Sequence, residues 1–152
     1  VSRDLGGLKM AYAYSKILDA GLPIVAKRRK SATEVESMAV IGEIRGKNAL
    51  LIGDLTETAG TLTDAASLLK KKGAKKIVAC VSHAILNDVG IERLRKSVID
   101  ELITTDTVLR PAVSGVKVTT LSVAGLLGEA IKRIHSNSSV TSLFEFKGGR
   151  TS

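Results

Sequence analysis

The sequence predicts an α/β domain, a parallel sheet flanked by helices on both faces. Two observations lead there. Strand-length apolar runs recur along the chain, at residues 22–26, 49–52, 76–82, 102–105 and 116–121. Segments with apolar residues at three- and four-residue spacing alternate with most of them. Strands alternating with helices at this spacing argue a parallel sheet covered on both faces. The 152 residues, 44% hydrophobic, are enough for one domain with a sizeable core. Aromatic residues are only 3%, so that core must be aliphatic.

Taken in order, residues 1–7 read as a turn with Asp4 ahead of Gly6 and Gly7. A helix follows over 8–20 and stops at Gly21, a normal residue after a helix end. The strand at 22–26 runs into Lys27, Arg28, Arg29 and Lys30. A basic run is usually a solvated loop. Here it follows a strand and is expected at the same sheet edge as the site described next. Residues 31–44 turn from polar to apolar and read as a mobile flap returning to the sheet.

Residues 48–61, NALLIGDLTETAGT, organise the rest. The apolar run at 49–52 is one buried strand, followed at once by a polar turn. A helix over 61–72 then ends at Gly73, with lysines in its last turn that complement the helix dipole. Ligands bind at the carboxyl ends of parallel strands. Thr58, Gly60 and Thr61 offer hydroxyls and unobstructed amides at a helix N-terminus, which is a phosphate cradle by its physics. Asp54 and Glu57 can accept from sugar hydroxyls or hold Mg²⁺ through water. The plainer alternative is an ordinary βα turn with a threonine N-cap. Neither a Walker P-loop nor a Rossmann glycine motif occurs.

Further on, 76–82 is a buried strand with His83 at its end, read as a structural or supporting histidine. Residues 91–96 form a short helix, and 102–105 and 116–121 are strands. The helix over 123–135 should point Leu126, Leu127, Ala130, Ile131 and Ile134 inward. A helical turn at 139–144 and a tail close the chain.

Cys80 is the one cysteine, so no disulfide forms within the chain, which fits a cytoplasmic location. No apolar run approaches the roughly 20 residues of a membrane helix. The net charge of +8 asks for anionic partners. No nucleic-acid motif or aromatic platform is present, and phosphorylated small molecules account for the charge equally well.

The residues GDLTETAGT resemble the phosphoribosyl-pyrophosphate motif of ribose-phosphate pyrophosphokinases, similar to D-D-x-x-D-T-A-G-T. Residues 2–7 (SRDLGG) resemble that family's S-P-D-x-G-G pyrophosphate loop, and 24–29 (IVAKRR) its I-x-D-K-R-R loop. Later stretches, including SVIDEL, LSVA and EAIKRIHS, match in order. The resemblance implies a phosphoribosyltransferase-like fold, with residues 1–152 a single domain forming the C-terminal half of a two-domain protein. The implied reaction moves a diphosphoryl group from ATP to the 1-hydroxyl of ribose 5-phosphate with Mg²⁺.

By matched position, Thr58, Ala59, Gly60 and Thr61 would hold the 5-phosphate, with Glu57 beside them. Asp54 would bind ribose hydroxyls, Arg29 the substrate and Lys27 the transferring group. Asp4 would help place the metal, and Gly6 and Gly7 would hold pyrophosphate. The expected assembly is a dimer-based homo-oligomer, up to a hexamer, with no nucleic-acid or membrane partner. The fragment alone is expected to be inactive. Four positions depart from the pattern: Gly53 replaces the first acid, Glu57 an aspartate, Ala26 an aspartate and Arg3 a proline. Gly53 raises the alternative of a catalytically degenerate regulatory subunit.

Overall fold

The structure is a computed structural model that describes residues 5–28, 37–109 and 113–144. Its centre is a four-stranded parallel sheet in the order β3-β4-β5-β6. These strands are β3 (Ala49–Thr56), β4 (Ile77–Ala84), β5 (Glu101–Thr105) and β6 (Val118–Leu121). Helix α2 (Gly60–Lys71) joins β3 to β4, and α3 (Asp88–Arg95) joins β4 to β5. Neighbouring parallel strands linked by right-handed crossovers put both helices on one face.

That face holds the core. Leu51, Ala79, Leu102 and Val118 form one row across all four strands. Ala65, Ala66 and Leu69 of α2 and Leu94 of α3 are buried in the same cluster. Alanines at the contact let α2 lie close on β3 and β4. With so few aromatic residues, close approach replaces bulk.

The opposite face is more lightly covered. Leu50, Ile52, Val78, Cys80 and Ile103 are half-buried there. Helix α1 (Leu5–Ile17) packs against β3. Its Ala11, Tyr14 and Ser15 line, together with Leu50 and Ile52, a cavity of about 380 Å³. Helices therefore lie on both faces, as the sequence pattern predicts. No helix among the described residues is long and apolar enough to cross a membrane.

Several expectations are corrected. The strand at 22–26 is β1 (Ile24–Arg28), and it does not join the parallel sheet. It pairs antiparallel with β2 (Ser37–Ile41), which replaces part of the expected flap. Val25 joins the main core, and β2 packs against α2. Gly6 and Gly7 lie inside the first turn of α1, not in a turn before it. The first amides of a helix need no intrahelical acceptor, so glycines there cost little hydrogen bonding. β3 runs on to Thr56, so Asp54 is a strand residue. α3 starts three residues earlier than expected, because Asn87 caps it by accepting from the Gly90 amide at 2.9 Å.

The last correction concerns α4 (Ala124–His135), which buries none of its residues. Leu126, Leu127, Ile131 and Ile134 are all exposed, though the helix is plainly amphipathic. Its start is fixed by Asp106, whose carboxylate accepts from the Val123 amide at 2.9 Å. Hydrogen bonds from Ser122 and from that amide hold the Asp106 carboxyl below its ordinary range.

Glu101 ties the strands at their amino ends. It accepts from Thr119 Oγ1 at 2.7 Å and Lys117 Nζ at 3.1 Å, with Lys76 Nζ at 3.8 Å. The Thr119 hydroxyl, then Lys117, holds its carboxyl below the ordinary value. Thr104, level with Thr120, is 1% exposed, and its hydroxyl has no partner among the described residues. Burying an unpaired hydroxyl costs about 1–3 kcal/mol. Thr104→Val, nearly the same shape, should therefore stabilise the domain by about 1 kcal/mol. The expected reading is a higher denaturant midpoint at unchanged slope; a lower midpoint would mean that the hydroxyl is bonded.

Candidate functional site

The carboxyl end of β3 is shaped by the segment after β4. Three successive carbonyls are held from that side. Thr56 O accepts from the Ile85 amide at 2.9 Å, and Glu57 O from the Asn87 amide at 3.3 Å. Thr58 O accepts from Arg93 Nη1 at 3.2 Å. Gly90 sits beneath, where a Cβ would stand 2.2 Å from Glu57 O. Only glycine lets α3 come this close.

With its carbonyls turned to α3, the chain makes one sharp move into α2. Ala59 adopts φ 53 and ψ 4, the left-handed region, and is 3% exposed. For a non-glycine residue this costs roughly 1–2 kcal/mol. Such strain persists where the surroundings impose it, and it gathers at ligand sites. The first helical bond of α2 runs from the Thr63 amide to Ala59 O at 3.0 Å. Thr63 Oγ1 also donates towards Ala59 O at 3.1 Å and Gly60 O at 2.9 Å.

No side chain caps α2. The threonine N-cap of the plainer reading is absent, and the amides of Ala59 and Gly60 have no acceptor among the described residues. An uncapped helix start at the carboxyl edge of a parallel sheet offers its amides and dipole to an anion. Asp54, Glu57 and Thr58 are exposed beside it. Neither carboxylate forms an ion pair among the described residues. The six site positions from Asp54 to Thr61 are thus brought together where the sequence put them.

The same edge continues at β4 and β5. His83, level with Leu55, shares a 2.7 Å hydrogen bond with Thr107 through its Nδ1. Thr105 Oγ1 donates to Ser82 O at 2.6 Å and lies 2.9 Å from Thr107 Oγ1. His83 is therefore part of a hydroxyl network that fixes the β5 exit, as the supporting role expected of it requires.

The other candidates are less concentrated. Gly6 and Gly7 belong to α1, which packs against β3. Lys27 is in β1, opposite Met38, on the hairpin that packs against α2. Asp4 and Arg29 lie outside the described residues. No group of three or more metal-binding side chains occurs among the described residues. Sequence reasoning missed Asn87, Gly90 and Arg93. The pair Asn87-Asp88 ahead of a periodic stretch was a usable N-cap signal. Arg93 left none, since its partner lies 35 residues away.

The family model described as the phosphoribosyl synthetase-associated domain matches residues 1–145. A ribose-phosphate pyrophosphokinase from Gloeobacter violaceus is 46% identical over 146 residues, 95% of this chain and 44% of that protein. One from Campylobacter jejuni is 43% identical over 144 residues, 94% of this chain and 46% of that protein. The crystal structure of phosphoribosylpyrophosphate synthetase from Mycobacterium smegmatis superposes with a TM-score of 0.77 at 28% identity. That likeness covers 90% of this chain and 44% of the other. The chain spans less than half the length of these relatives.

The strain at Ala59 is testable. Ala59→Gly relieves the left-handed cost and adds roughly 0.5–1 kcal/mol of chain entropy, so stability should barely change. Ala59→Val, β-branched and buried, should cost about 2 kcal/mol or more in urea unfolding. A valine variant as stable as the parent would mean that this turn relaxes freely.

Proposed function

The chain belongs to the phosphoribosyl synthetase-associated domain family, and we propose that it carries the ribose 5-phosphate site of a ribose-phosphate diphosphokinase. In this reading it is one domain, the C-terminal half of the complete protein. The complete enzyme makes phosphoribosyl pyrophosphate from ATP and ribose 5-phosphate in the cytoplasm. It works as a dimer-based homo-oligomer, and this fragment alone is inactive.

One observation carries the proposal. GDLTETAGT leads into an uncapped helix start at the sheet's carboxyl edge, with its carbonyls tied back and, alongside, carboxylates that form no ion pair among the described residues. A dianionic 5-phosphate fits the amides and hydroxyls of Thr58, Ala59, Gly60 and Thr61. Asp54 accepts from ribose hydroxyls, with Glu57 flanking. The 1-hydroxyl oxygen then attacks the β-phosphorus of ATP, and AMP leaves. Arg29 binds the substrate, and Lys27 neutralises the charge of the moving diphosphoryl group. Gly6 and Gly7 hold pyrophosphate on first-turn amides of α1.

Mg²⁺ suits this donor set. It is commonly held by one or two carboxylates plus substrate phosphates and water, rather than by an all-protein cage. Asp4, with Asp54 or Glu57 through water, would supply those carboxylates. When bound, the ion neutralises phosphate charge; the residues above orient the reactants.

Gly53 favours a second reading, a regulatory subunit that binds sugar phosphate without turnover. A Cβ at Gly53 would meet only Val81 Cγ1, at 3.5 Å, so an aspartate fits. The test is Gly53→Asp in the complete protein, with ribose 5-phosphate affinity and turnover both measured. A restored charge-assisted hydrogen bond should tighten binding roughly ten- to a hundredfold. Tighter binding with higher turnover supports the enzyme. Tighter binding with turnover at zero supports the regulatory subunit. No change in either would remove residue 53 from the ribose site.

A further inference from the structure

We propose that Arg93 is a positioning residue for the phosphate-binding turn, acting across the βα units to hold residues 58–60 in their ligand-ready shape. This rests on the reading of that turn as the sugar-phosphate site. Arg93 belongs to α3, whereas the turn joins β3 to α2. Its Nη1 donates to Thr58 O at 3.2 Å, the last of three carbonyls held on that side. The same nitrogen stands 2.8 Å from where a Cβ on Gly60 would be. The guanidinium thus covers the first residue of α2 from behind and fastens the peptide just before the strained Ala59.

The other two ties are backbone amides of 85 and 87, and they end at Glu57. Between Glu57 O and the first bond of α2, Arg93 ties this turn to another element through its side chain. Peptide planes fix both of their ends. Holding Thr58 O towards α3 turns the next amide, that of Ala59, away from α3. The amides of Ala59 and Gly60 have no acceptor among the described residues. Arg93 therefore sets the direction in which the Ala59 amide of the cradle points. Its side chain is exposed, forms no ion pair among the described residues, and contributes little to the core, so its loss should leave the fold intact.

The experiment compares Arg93→Met and Arg93→Lys with the parent in the complete protein. Ribose 5-phosphate and ATP affinities, kcat and amide hydrogen exchange of residues 58–62 are measured together. Arg93→Met should weaken ribose 5-phosphate binding about tenfold, the worth of one charge-assisted hydrogen bond, with kcat and ATP affinity little changed. Exchange should quicken at 58–62 and stay the same in β4 and β5. Arg93→Lys, which keeps a charged donor, should recover part of both effects. Unchanged exchange at 58–62 in Arg93→Met overturns the proposal. So does a joint fall in both affinities with faster exchange across the sheet, which marks a general loss of structure. Failure of the parent to bind ribose 5-phosphate overturns the site reading instead, and the exchange data then decide the role of Arg93 by themselves.

Discussion

The carbonyls of Thr56, Glu57 and Thr58 face one way because the chain after β4 holds them there. Everything at the candidate site depends on that constraint. It requires β4 to lie beside β3 in parallel register, so that residues 85 and 87 come level with the end of β3. It requires α3 to begin at once, which Asn87 ensures, and to come within touching distance, which Gly90 permits. The reward is a turn whose Ala59 amide lies on the side away from α3. A βα turn of the same sequence without α3 would have no reason to keep Ala59 left-handed.

The site and its support were not equally legible. Residues 54–61 are contiguous, so a strand, a polar turn and a helical pattern sufficed to put them at a sheet edge. The buried strands were legible for a similar reason: β4 opens on the short apolar run of residues 77–81, rich in β-branched residues and set between turn signals. Partnership was not legible. The run at 22–26 is a strand, but nothing local says that it pairs antiparallel with β2 rather than joining the sheet. Arg93 lies 35 residues from its partner, and an arginine in a charged helix looks like solvation. Gly90 lay just outside the helix expected at 91–96, and it is the contact that lets α3 approach.

Helix α4 shows the limit of periodicity from the other side. Leu126, Leu127, Ile131 and Ile134 recur at helical spacing, and the helix forms. They do not face the described core. A stripe reports that a helix is amphipathic, not which surface its apolar side meets. The same holds for the lightly covered face of the sheet, where Leu50, Ile52 and Val78 are apolar yet only half-buried.

Three glycines near the site separate what the fold demands from what the chemistry chooses. At Gly90 a Cβ would stand 2.2 Å from a backbone oxygen, so the fold itself demands glycine. At Gly60 the obstacle is the tip of Arg93, 2.8 Å away, which a flexible side chain can yield. There glycine preserves the arginine's position rather than the backbone. At Gly53 the nearest atom outside its neighbours is a valine methyl at ordinary contact distance, and the residue sits in a regular strand with no positive φ. Packing and backbone geometry do not ask for glycine at that position. Glycine within a strand is slightly unfavourable for its entropy, so stability does not explain it either. The fold therefore leaves residue 53 open to a side chain, at the position where the motif it resembles carries its first acid.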